Sequence, residues 1–131
     1  SILSFNQATG DGANPPQPGT PGGGSGGAIY NDGNTFHLTV CGSRIHDNQA
    51  PEGGGAIFFV SNNLTGTLTI DDTYIWNSPS GSFWTAPWPW LFYLGQGSPQ
   101  ITGSTFDTPA PDLFCDGFEA GATLAWNTAT P

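Results

Sequence analysis

The chain of 131 residues carries ten acidic side chains against Arg44 alone and no lysine, a net charge of −9, which repels a phosphate backbone and argues against nucleic acid as a partner. Its 20 Gly and 12 Pro would interrupt sustained helices, while an aromatic share of 13% is too high for a disordered chain. No run approaches the ~20 apolar residues of a membrane-spanning helix.

Read from the N-terminus, Ile2-Leu3-Ser4-Phe5-Asn6-Gln7-Ala8 is a short apolar segment ending at an asparagine. Residues 9–25 follow, a Pro- and Gly-rich stretch expected to be a loop inserted within a repeat. Such insertions lie on one face of a solenoid, as a plain surface loop or as part of a binding face. Gly26-Gly27-Ala28-Ile29-Tyr30 then recurs 28 residues later as Gly54-Gly55-Ala56-Ile57-Phe58. Leu38-Thr39-Val40 recurs 30 residues later as Leu68-Thr69-Ile70, with Gln100-Ile101-Thr102 as a degenerate third copy. A third element, Ser43 to Ala50, matches Ile2 to Ala8 upstream, Thr73 to Ser78 downstream and, more faintly, Ser104-Thr105-Phe106.

Each repeat of roughly 30 residues thus holds three segments of strand length separated by Gly, Asn, Asp or Ser. This predicts an all-β chain: a right-handed parallel β-helix, a solenoid of about three rungs over residues 1–106, with an irregular C-terminal cap or tail over 107–131. Ile29, Leu38, Val40, Ile45, Ala56, Ile57, Leu68, Ile70 and Ile75 are the expected inward residues. The paired glycines suit corners that need φ > 0 or close backbone approach. Asn6, Asn48 and Asn77 are expected at one matching turn, bonded along the stack. The first rung begins at its third strand, so the chain is expected to be a portion of a longer protein.

The GGAI element, together with apolar-x-x-Asn at Leu3 to Asn6, Ile45 to Asn48 and Tyr74 to Asn77, resembles the repeats of polymorphic outer-membrane protein-type β-helix proteins. Those often read F-x-x-N, where this chain has Leu, Ile and Tyr first. The resemblance implies a secreted or cell-surface protein, commonly adhesive, without a single catalytic motif. Phe114-Cys115-Asp116-Gly117-Phe118-Glu119, with Gly121 and Trp126, is similar to a short segment that closes many secreted Gram-negative proteins.

Two features depart from the repeat. The aromatic insertion at 83–94 brings Trp84, Trp88, Trp90, Phe92 and Tyr93 together, either to cap the open end of the core or to contact a glycan or protein partner. Cys41 and Cys115 are expected to form one disulfide in an oxidising compartment, which requires the tail to fold back along the rungs.

No catalytic set emerges. Arg44 and His46 share one strand face and read as surface polarity. Asp47, Asp71 and Asp72 are placed to stack on adjacent rungs, where they suit a turn, a carboxylate pair or a weak calcium site. His37 and His46 lack metal-ligand spacing, so no metal or cofactor is expected, calcium being the lesser alternative. The expected role is structural or adhesive, with another β-helical chain or copies of itself as partner at the open ends. The alternative is a carbohydrate-binding or polysaccharide-degrading module using the tryptophans and nearby acids.

Overall fold

The computed structural model describes residues 1–12 and 22–106. Among them there is no helix, and the chain is all-β with ten short strands: β1 (Ile2–Ser4), β2 (Ile29–Gly33), β3 (His37–Cys41), β4 (Arg44–His46), β5 (Ile57–Ser61), β6 (Thr67–Asp71), β7 (Tyr74–Trp76), β8 (Leu91–Leu94), β9 (Gln100–Thr102) and β10 (Thr105–Phe106). They form three sheets, β1-β4-β7-β10, β2-β5-β8 and β3-β6-β9, in which every strand pairing is parallel. From β2 onward, each run of three consecutive strands gives one strand to each sheet.

The internal repeat sets the register. Ile29 partners Ile57, Leu38 and Val40 partner Leu68 and Ile70, Leu3 partners Ile45, and Ile70 partners Ile101 in the degenerate copy. Like therefore stacks on like, and side chains alternate between faces along each strand. Ile45, Ile57, Phe59, Leu68, Ile70, Ile75 and Leu91, drawn from all three sheets, lie in one core with no exposed surface. Ala56 and Val40 join them as expected, whereas Ile29 and Leu38 are only partly buried. Those two sit on β2 and β3, the strands at one edge of their sheets, where no further strand among the described residues covers them.

The paired glycines divide the two roles expected of them. Gly26 and Gly54 hold φ of 75° and 63°, a left-handed geometry that a side chain resists. Gly27 and Gly55 are needed for clearance: a Cβ at Gly27 would lie 2.1 Å from the Gly55 carbonyl oxygen, and one at Gly55 would lie 2.0 Å from that of Ser78.

The asparagine stack needs one correction. Asn6 and Asn48 do stack, with Asn6 Nδ2 donating to Asn48 Oδ1 at 2.9 Å, but the residue above Asn48 is Ser78, whose Oγ accepts from the Asn48 amide at 3.4 Å. Asn77 sits one place earlier and bonds to Asp47. The reason is the alternation of β7: Ile75, not Tyr74, faces the core opposite Ile45, and Tyr74 lies across from Arg44.

Burial sets the expected cost of truncation. Ile57→Ala, in the centre of the core, should lower unfolding free energy by about 2–5 kcal/mol. Its counterpart Ile29→Ala, at the open edge, should cost roughly half as much or less. Urea denaturation followed by circular dichroism measures both, and equal losses would contradict the graded burial described above.

Candidate functional site

After β1, β4 and β7 the chain turns at equivalent positions, Phe5, Asp47 and Asn77, with φ of 58°, 54° and 44°. Aspartate and asparagine tolerate this geometry better than most residues. Beyond the turn a narrow parallel strip forms: Gln7 bridges Gln49 and Ala50 bridges Ser80. The Ala8 amide donates to the Gln49 carbonyl at 3.0 Å and the Ala50 amide to the Pro79 carbonyl at 3.2 Å. Ala50 is buried, while Gln7, Gln49 and Pro79 are exposed.

A groove of about 440 Å³ opens between Gln7–Gly10 on one side and Gln49, Pro51 and Pro79 on the other. It adjoins a second depression of about 180 Å³, which shares Gln49 and Pro79 and is walled by Asp47 and Asn77. The two together form a concave strip at one corner of the molecule.

Asp47 is the one carboxylate in this strip. His46 Nδ1 lies 2.7 Å from Asp47 Oδ2, and because an ionised carboxylate only accepts, the imidazole N–H is the donor. Asn77 Nδ2 donates to the other oxygen. The hydrogen bonds from His46 and Asn77 hold the Asp47 carboxyl below its ordinary pKa. His46 in turn stacks on Trp76, with centroids 4.3 Å apart and planes 7° from parallel, and Phe5 meets the imidazole edge-on at 6.0 Å.

The five aromatics expected to make contacts separate. Trp84 is exposed (49%). Trp88 and Trp90 are partly buried and pack against the core. The turn that carries them is tied by the Thr85 amide donating to the Leu91 carbonyl at 2.7 Å and the Trp88 amide to the Thr85 carbonyl at 2.9 Å. Phe92 and Tyr93 belong to β8, not to an insertion. Phe92 stacks on Phe58 at 5.2 Å, and Tyr93 is buried and stacks on Phe59 at 5.3 Å. The Tyr93 hydroxyl donates to the Gln96 carbonyl at 2.8 Å, and burial raises its pKa. Most of this aromatic surface thus seals the β8 end of the core, leaving Trp84 and, beside it, Phe83 facing outward.

The acids are likewise dispersed. Asp71 ends β6 opposite Cys41 and Asp72 turns the chain after it, while Asp47 lies at the corner after β4, so the three do not stack as the sequence suggested. Among the described residues no group of three His, Cys, Asp or Glu side chains is placed to hold a metal ion. Cys41 is exposed; Cys115, its expected disulfide partner, lies outside the described residues. Arg44 and His46 share the outward face of β4 with Ile45 buried between them.

The strip at the corner has only a faint signature in the sequence. Its trace there is the doubled Asn-Gln-Ala of residues 6–8 and 48–50. Comparison with known proteins finds no matching family model, curated protein or solved structure.

Two outcomes test this description. The Asp47 carboxyl, followed by NMR, should titrate below the ordinary aspartate range and move up towards it in Asn77→Ala. Its folded pKa is depressed, so its contribution to stability is present above the unfolded pKa and fades as pH falls through the lower, folded one. The second concerns Trp90, whose buried Nε1 has no hydrogen-bond partner among the described residues. Trp90→Phe removes that unpaired donor and should stay within ~1 kcal/mol of the parent, while Trp90→Ala should cost about 2 kcal/mol or more in the same urea assay.

Proposed function

We propose that the three parallel sheets are the faces of a right-handed parallel β-helix. We further propose that the chain is a non-catalytic structural or adhesive segment of a secreted or cell-surface protein, joined to further β-helical rungs at one end. The observation that supports this is the half-covered core at the edge formed by β1, β2 and β3. There the core-facing Leu3, Ile29 and Leu38 are only partly buried, and Ile2 is 62% exposed. At the opposite edge only the β8 strand is closed, with Leu91 and Tyr93 buried and Trp88 and Trp90 packed against the core, while Ile101 and Phe106 on β9 and β10 are partly buried.

An open strand edge above half-covered apolar side chains favours pairing with another strand. The occupant best fitted to it is a rung of the same architecture, whose strands can extend all three sheets and whose apolar residues can cover Leu3, Ile29 and Leu38 together. For the isolated chain that occupant is a second copy. The resemblance to surface β-helix repeats and the net charge of −9, which suits a well-solvated extracellular protein, support the same reading.

Light scattering coupled to size-exclusion chromatography tests it. The parent chain should pass from monomer to dimer or longer species as concentration rises, and Ile2→Lys and Leu3→Ser, checked for fold by circular dichroism, should remain monomeric. A parent chain that stays monomeric throughout, or variants that associate equally well, would remove the reading.

A further inference from the structure

We propose that the concave strip at the corner after β1, β4 and β7 is a binding site for a neutral oligosaccharide. The inference does not rest on assembly at the open edge, since the groove lies along the side of the sheets and not across their end.

Size is the first argument. The larger depression of about 440 Å³, continuous with the smaller one of about 180 Å³ through Gln49 and Pro79, falls in the ~300–1,000 Å³ range of sites that enclose small ligands. Its direction matters as much. Gln7 and Gln49 are bridged in parallel register, so equivalent side chains repeat along the stacking direction roughly every 4.8 Å. A linear chain of similar units can lie along such a column and meet the same group more than once.

The lining identifies the chemistry. Gln7, Gln49 and Asn77 each offer an amide that donates and accepts, which matches hydroxyl groups that also do both. Asp47 adds a carboxylate whose position is already fixed, one oxygen by His46 and the other by Asn77. Each oxygen keeps a lone pair for a ligand hydroxyl, and charge-assisted bonds of this kind are the stronger ones. The rings of Pro51 and Pro79 give the C–H face of a sugar an apolar surface.

Charge rejects the competing ligands. No cationic side chain lines either depression, Asp47 carries a negative charge inside the strip, and the chain as a whole is at −9. A uronic-acid polymer or a phosphorylated ligand would therefore meet repulsion with no compensating partner, whereas an uncharged glycan would not.

Saturation-transfer NMR on the 131-residue chain provides the test, with neutral tetrasaccharides of β-1,4-glucose, xylose, mannose and N-acetylglucosamine as probes and a tetragalacturonate as the acidic control. At least one neutral probe should bind with a Kd of about 1 mM or tighter. Gln49→Ala and Asn77→Ala, both exposed positions, should each weaken that binding by ~10-fold or more, and Trp84→Ala on the aromatic turn should leave it within about twofold. Preference for the acidic probe, failure of every neutral one, or binding that depends on Trp84 and not on Gln49 would each overturn the assignment.

Discussion

The fold depends on turning a parallel stack at its corners without leaving backbone groups unpaired inside. Where the chain leaves a sheet the ladder of strand hydrogen bonds stops, and a buried amide without a partner costs about 1–3 kcal/mol. At one corner the side chains of Thr73 and Ser104 accept from the amides of Ser43 and Thr73 in the preceding repeat, at 3.3 and 3.0 Å. At the next, Asn48 Oδ1 accepts from the Asn6 amide at 2.9 Å, Asn48 Nδ2 donates to the Leu3 carbonyl at 3.0 Å, and Ser78 Oγ accepts from the Asn48 amide. These bonds run along the stack, so they fix the register of each repeat on its neighbour. The apolar rows of the core line up only because that register is held.

The same constraint creates the candidate site. A corner of this type requires a left-handed residue just before the inward polar one, which is why Asp47 and Asn77, both tolerant of positive φ, stand side by side and bond to each other. Having turned the chain, their side chains face outward beside the strip that carries Gln7 and Gln49. A backbone requirement thus supplies a rigid polar wall. His46 lies one residue earlier, held flat against Trp76, and so reaches Asp47 with little freedom left to lose on binding.

Much of the fold was legible in the sequence because parallel stacking demands similar residues at similar places, and the GGAI and Leu-Thr-Val/Ile copies state that demand directly. Apolar character alone misaligns the copies at β7: Tyr74 resembles Leu3 and Ile45 in kind but lies across from Arg44, so Ile75 is the true equivalent of Ile45 and Asn77 falls one place earlier than Asn48. The aromatic segment concealed β8, because Leu91 follows its register partner Ile57 by 34 residues where Ile57 follows Ile29 by 28, and no Gly-Gly-Ala precedes it. The groove was illegible for a different reason: it is built from the junction of three turns, and no single segment carries its pattern.

The β2-β5-β8 sheet shows how the ends come to differ. Phe59 and Tyr93 stack on its core side, with Phe36 against Phe59. On its outer side Tyr30, Phe58 and Phe92 form a second stack, with centroid separations of 5.0 and 5.2 Å, against which Phe83 packs edge-on to Phe92 at 4.9 Å. All five residues of β5 are consequently buried, as in parallel sheets covered on both faces. That covering is complete at β5, partial at β8, where Leu94 is 45% exposed, and thinnest along β2, whose Tyr30 is 39% exposed. Within this sheet burial is therefore least along β2, which should be its first strand to open under local fluctuation. In the association proposed above, strands set on the edge formed by β1, β2 and β3 would bury Leu3, Ile29 and Leu38, and this burial would be its driving force.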